Sequence, residues 1–249
     1  MMKDFAAMRE VQAPAGLVAN VLRRVGLLDG YALVSTPIGP RFVAASQAGI
    51  TAVGQAGEDA EFIRYYRERF GRAVERRDEL APALQAAVEN GRKAAVDLQT
   101  CNPFQRDVLE ATRSIPSGRV RPYAWIAERI GRPGAVRAVG TALANNPVPL
   151  VIPCHRVVRS DGSIGQYALG TEKKASLLQH EGVDLDEVRR RMPTQNVWYE
   201  EGEETFCRPF CFDARPLPAE NHIVVFRNAA EARARGLVPC TTCHPGIAA

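Results

Sequence analysis

Leu17, Val18, Val21, Leu22 and Val25 recur at helical spacing and predict one amphipathic helix within Pro14–Leu28. The period then shortens to that of strands. Tyr31–Thr36, Arg41–Ser46 and Ile50–Val53 are β-rich runs separated by Pro37-Ile38-Gly39-Pro40 and Gln47-Ala48-Gly49, which predicts a small antiparallel sheet. Asp59–Phe70 and Ala81–Val96 read as helices able to cover it. Asn102 can cap and Pro103 can start a helix over Phe104–Ser114, stopped by Pro116-Ser117-Gly118. Two short helices, Tyr123–Ile130 and Ala135–Ala144, flank the turn Gly131–Gly134 and form a helix-turn-helix pattern. Leu150–Ile152 is a short buried run, and Lys173–His180 a further helix with Leu177 and Leu178 on its apolar face. From Met192 onward periodicity weakens and Pro and Cys become frequent. The expected organisation is an extension over 1–29, a sheet-bearing subdomain over 30–100, a mostly helical domain over 101–191 and a small domain over 192–249. The fold class is α/β.

Composition adds little to this pattern: 46% hydrophobic and 24% charged residues suit a soluble globular chain. No apolar run approaches the roughly 20 residues of a membrane span. The first residues carry charge without an apolar run behind them, so no membrane association, no secretory signal and a cytoplasmic location are expected, with reduced thiols. The net charge is only +4, but it is unevenly spread. Between Phe104 and Ser160 about nine arginines stand against three acids, Asp107, Glu110 and Glu128. Such a segment fits a polyanion, and charge alone fits a solvated basic face equally well.

The six cysteines fall into three settings. Cys101 stands alone at a linker. Cys207 and Cys211, then Cys240 and Cys243, form two close pairs about 28 residues apart. Four thiolates spaced in this way match a closed tetrahedral zinc site that also supplies folding energy to a tiny domain. His222 and His244 are spare ligands nearby. Cys154 sits in Ile-Pro-Cys-His-Arg-Val-Val, where an adjacent His155 is placed to accept its proton.

Pro153–Val157, with Arg137–Gly140, Asn146–Pro149 and His180–Gly182 at matching intervals, resembles the O6-alkylguanine-DNA alkyltransferases over roughly residues 30–185. The resemblance implies a small ribonuclease-H-like N-terminal subdomain and a helix-turn-helix domain that moves an alkyl group from guanine O6 in double-stranded DNA onto Cys154. Attack at saturated carbon calls for a soft nucleophile, and the thioether formed is not hydrolysed, so one chain repairs one lesion. By the same resemblance, Glu181 supports His155, Tyr123 serves the leaving oxygen, and Asn146 holds the turn before the nucleophile. Arg137 would fill the gap left by a flipped base. Ala135, Ala138 and Gly140 would let the second helix approach the minor groove, with Arg156 and Tyr167 as further DNA contacts. Phe206–Cys211, Asn228–Ala232 and Gly236–Cys243 resemble the zinc domain of Ada proteins. That likeness makes Cys207 a possible second methyl acceptor, from methylphosphotriesters. A monomer is expected. Rival readings are a lesion-binding protein that does not repair, an alkylation-sensing DNA-binding regulator acting through Cys207, and a Cys-His hydrolase.

Overall fold

The computed structural model describes residues 16–91, 93–191, 197–208 and 223–241. It divides into two compact units, Met1–Thr100 and Cys101–Ala249. In the first, helix α1 (Leu17–Arg24) precedes strands β1 (Leu28–Val34), β2 (Arg41–Ser46) and β3 (Gly49–Gln55). Helix α2 (Asp59–Phe70), strand β4 (Ala73–Arg76) and helix α3 (Pro82–Asn90) follow. The expected antiparallel three-strand set is present, and β4 adds a fourth strand parallel to β1, in the order β3-β2-β1-β4. Only four residues long and flanked by arginines, β4 has no alternation strong enough to read. The strand β1 begins at Leu28, inside the segment expected to be an extension. The helix expected over Ala81–Val96 stops at Asn90, where Gly91 turns with a φ of 65° that favours glycine. Val96 instead bridges Ile50.

On the sheet, α2 places Phe62, Tyr66 and Phe70 against Tyr31, Phe42, Ala44, Ala52 and Val74. Beneath this apolar layer the Tyr66 hydroxyl donates to Asp29 at 2.5 Å, and Arg72 pairs with Asp29 at 3.1 Å and Asp97 at 3.0 Å. Asp97 also accepts from Ser46 at 2.8 Å. The two buried carboxylates, Asp29 and Asp97, are thereby matched, which is the condition for tolerating them in a core.

The second unit runs through α4 (Pro103–Arg113), β5 (Arg121–Pro122), α5 (Tyr123–Arg129) and α6 (Val136–Ala144). Next come a 3-10 turn over Cys154–Arg156, β6 (Val157–Val158), α7 (Thr171–His180) and α8 (Leu185–Arg191). Its last elements are β7 (Val197–Glu200), β8 (Thr205–Phe206), β9 (Ile223–Phe226), α9 (Ala229–Ala234) and β10 (Val238–Pro239). Asn102 caps α4 as expected, accepting from the Gln105 amide at 2.8 Å. Val139, Ala142 and Leu143 bury one face of α6 and leave Arg137 and Ala138 exposed on the other. Val120, Val158, Leu178, Val183 and Val188 pack together behind the 3-10 turn. Val188 comes from α8, whose two apolar positions were too few to predict a helix. The tail has its own core of Val197, Phe206, Phe226, Ala229 and Ala232. Among the described residues no helix is long and apolar enough to cross a membrane.

Candidate active site

Cys154 is fixed by the chain before it. Asn146, just after α6, accepts from the Val148 amide at 3.0 Å through Oδ1. Its Nδ2 donates to the Ile152 carbonyl at 2.9 Å and to Cys154 Sγ at 3.1 Å. One amide side chain therefore closes the loop and touches the sulfur. Within that loop Leu150 adopts φ 75°, a left-handed backbone that a branched residue takes only under local strain. The sequence carries no glycine there to announce it.

The turn places His155 and Arg156 on a common partner. His155 Nε2 lies 3.1 Å from Glu181 Oε1, and His155 is almost fully buried. Arg156 grips the same carboxylate from Nε at 2.9 and 3.1 Å and from its terminal nitrogen at 2.7 Å. Its other terminal nitrogen donates to the Ile115 carbonyl at 2.6 Å. The Gly118 amide completes the set on Glu181 at 3.3 Å. This corrects the expectation for Arg156: its side chain is 11% exposed and committed to Glu181, so it builds the site rather than facing DNA. Charge alone could not separate it from Arg137.

Burial pushes the Glu181 carboxyl up, but His155 and Arg156 outweigh that and bring it to about 2. Burial also drives His155 down, against the pull of Glu181, so its imidazole is neutral at neutral pH. With Glu181 accepting from Nε2, the proton-accepting nitrogen is Nδ1, which is buried without a hydrogen-bond partner among the described residues. Cys154 is raised, first by its burial, while Asn146, Lys174 and Tyr167 pull it back. The resting sulfur is a thiol, so it must lose its proton before it can attack as the thiolate.

Lys174 is the residue that sequence reasoning missed. It is fully buried on α7, donates from Nζ to the Val157 carbonyl, and lies 5.9 Å from the Tyr123 ring centroid. Burial brings it down to about 8 while the neighbouring Cys154 opposes that shift, so it still carries a proton at neutral pH. The signal existed: Lys174 stands three and four positions before Leu177 and Leu178 and so shares their buried face. Tyr123, at the start of α5, is pushed up by burial and by Cys154, which keeps its hydroxyl a donor. Tyr167 is half-buried, its ring 6.4 Å from that of His155, which places it beside the imidazole. Gly140 faces inward, since a Cβ there would meet Tyr123 at 4.0 Å. Arg137, Ala138 and the partly exposed Ala135 remain on the outer face.

In the tail, β8 and β10 run parallel with Thr205 opposite Val238 and Phe206 opposite Pro239. Cys207 and Cys240 are the next residues on each strand, and the Cys240 amide donates to the Phe206 carbonyl at 2.9 Å. Two thiol-bearing residues at neighbouring strand ends fit half of a tetrahedral thiolate site. Cys211 and Cys243, with His222 and His244, lie outside the described residues.

Residues 103–183 match the family described as 6-O-methylguanine DNA methyltransferase, DNA binding domain, and residues 201–246 match the metal binding domain of Ada. A methylated-DNA–protein-cysteine methyltransferase of Shigella flexneri is 51% identical over 80 residues, covering 32% of this chain and 47% of the relative. One from Methanosarcina acetivorans is 34% identical over 159 residues, covering 61% of this chain and 97% of the relative. The crystal structure of an O6-methylguanine-DNA methyltransferase from Pyrococcus kodakaraensis superposes with a TM-score of 0.50 at 23% identity. It covers 61% of this chain and 99% of that one, and shows the shared fold. The chain spans only about half the length of several of the curated relatives it matches, the Shigella flexneri one among them.

Proposed function

The chain belongs to the methylated-DNA–protein-cysteine methyltransferase family, and from that premise we propose that it repairs DNA by moving an alkyl group from guanine O6 onto Cys154, once per molecule. The observation that carries this is the sulfur held at 3.1 Å by Asn146 beside a neutral, carboxylate-backed imidazole. The thiol proton passes to His155 Nδ1 through a bridging water, and Glu181 stabilises the imidazolium that results. The sulfur then attacks the alkyl carbon: the S–C bond forms, the C–O6 bond breaks, and the electron pair leaves on guanine. Tyr123 donates to that developing charge. Lys174, charged and buried beside the sulfur, favours the thiolate as it forms.

On this reading the target nucleotide rotates out of the duplex, Arg137 takes its place in the stack, and Ala135 and Ala138 let α6 approach the groove. Residues 28–100, from the start of β1, form the N-terminal subdomain, 101–191 the DNA-binding and alkyl-accepting domain, and 192–249 the metal-binding tail, with the segment before Leu28 an extension. Cys207, Cys211, Cys240 and Cys243 would hold zinc, which would keep the thiolates deprotonated and add folding energy. We read the tail as an aid to DNA binding and the protein as a monomer.

The test is to incubate the full chain with a duplex carrying O6-methylguanine and to map peptide masses. One methyl group on the Cys154 peptide is expected, and no gain there overturns the proposal. Repeating it with methylphosphotriester DNA reads Cys207: a methyl on that peptide would make the tail a second acceptor.

Lys174→Met separates stability from chemistry. Removing a buried cation of depressed pKa by a side chain of similar length is expected to leave stability unchanged or higher. Methyl transfer should slow roughly 10- to 100-fold, and the rate–pH profile should move to higher pH because the sulfur loses a cation that lowers its pKa. An unmoved profile would show that Lys174 is only structural.

A further inference from the structure

We propose that the corner Cys207–Arg208 docks the metal-binding tail onto helix α5 through the Arg208–Glu128 ion pair, and thereby ties the tail's metal state to the DNA affinity of the helix-turn-helix. The inference rests on reading residues 101–191 as the DNA-binding domain.

Hydrogen bonds to Trp198 hold the corner. Cys207 and Trp198 exchange backbone hydrogen bonds at 2.8 and 2.9 Å, and the Trp198 indole donates to the Arg208 carbonyl at 3.0 Å. One residue thus carries a proposed metal ligand, and the next projects a guanidinium from a backbone fixed on both sides. That guanidinium donates to Glu128 Oε1 at 2.8 Å, across 80 residues of sequence. The two side chains are 35% and 30% exposed, so the pair is solvated enough to open and close.

The partner it selects is the telling feature. Within Tyr123–Ala144 Glu128 is the one acid, among Arg129, Arg132 and Arg137. A lone carboxylate in a module that meets phosphates costs affinity by repulsion, and Arg208 neutralises it. The neighbouring cations have another partner: Arg121 and Arg129 lie 5.3 and 5.8 Å from the Trp125 ring centroid. A docked tail therefore presents α5 and α6 to DNA without an uncompensated negative charge. A metal on Cys207 would tie the residue before Arg208 in addition to the Trp198 hydrogen bonds, and its loss would leave those bonds alone to hold Arg208 against Glu128.

The test uses the zinc-loaded full chain, undamaged duplex DNA as the probe, and amide exchange over α5. Arg208→Gln is expected to weaken duplex binding roughly two- to five-fold and to speed exchange in α5. In Glu128→Gln, where there is no charge to cover, the same Arg208→Gln change should cost little. Chelating the metal from the wild type should reproduce the Arg208→Gln exchange pattern. The proposal falls if Arg208→Gln costs the same factor with and without Glu128, which would place Arg208 directly on DNA. It falls equally if α5 exchange ignores either Arg208→Gln or chelation. Methyl mapping on Cys154 in the same preparations keeps the two readings apart: methylation with an indifferent α5 defeats the dock alone, and absent methylation defeats the underlying reading.

Discussion

Cys154→Ser is expected to lose methyl transfer by more than about 10⁴-fold, as replacing a nucleophile does, while keeping its fold and its affinity for duplex DNA. A serine hydroxyl in the same buried place still accepts the Asn146 Nδ2 hydrogen, so the loop Asn146–Ile152 stays closed. What is lost is the soft, ionisable atom. Burial already raises the thiol of Cys154, and it raises a hydroxyl from a far higher starting point. Two measurements on one preparation decide the matter: intact mass after incubation with O6-methylguanine duplex, and affinity for that duplex. Retained binding with no mass gain is the expected pair. A transfer rate within tenfold of the wild type would remove Cys154 from the acceptor role. The wild type itself should transfer faster as pH rises, because its resting sulfur is protonated and each step toward the thiolate raises the reactive fraction.

The parts of this site that could be read in the sequence are those with local signatures. Pro153–Val157 brings Cys154 and His155 together by adjacency, and Asn102-Pro103 announces the start of α4. Glu181 and Tyr123 entered through resemblance, since nothing local says that residues 26 and 31 positions away from His155 and Cys154 converge. Arg156 was misplaced because an arginine in a basic segment looks alike whether it faces phosphate or a buried carboxylate. Lys173 and Lys174 both stand at helical spacing from Leu177, and only Lys174 is also in step with Leu178, so the pattern alone separates them weakly although Lys174 is the buried one. The strand β4 and the helix α8 are too short for periodicity to speak, and their places are set by what they pack against: β1 for β4, and the Leu178–Val183 cluster for α8. Leu150 shows a third kind of silence. Its left-handed backbone is imposed by the closed loop around Asn146, a tertiary cause with no local sequence sign.

Glu181→Gln should slow methyl transfer about 100-fold and destabilise the protein by about 2–4 kcal/mol at neutral pH. Both effects come from one carboxylate serving two partners. His155 loses the charge that would stabilise its protonated form, so the proton of Cys154 has a poorer destination. Arg156, only 11% exposed, keeps its hydrogen bond to Ile115 but loses its counter-charge. The pH dependence gives a sharper test. Glu181 is held at about 2, well below the ordinary carboxylate value of 4.5. A depressed acid contributes stability that is fully present above the unfolded pKa and disappears as pH falls through the folded one, here roughly 3 kcal/mol lost between about pH 5 and pH 2. Glutamine cannot titrate, so the variant lacks this component at every pH. The stability gap between wild type and Glu181→Gln, measured by urea unfolding, should therefore be widest at neutral pH and close as the solution is acidified. A gap that stays constant down to the acid limit would mean that Glu181 is not held as an ion by His155 and Arg156, and the proton path from Cys154 would then lack its anchor.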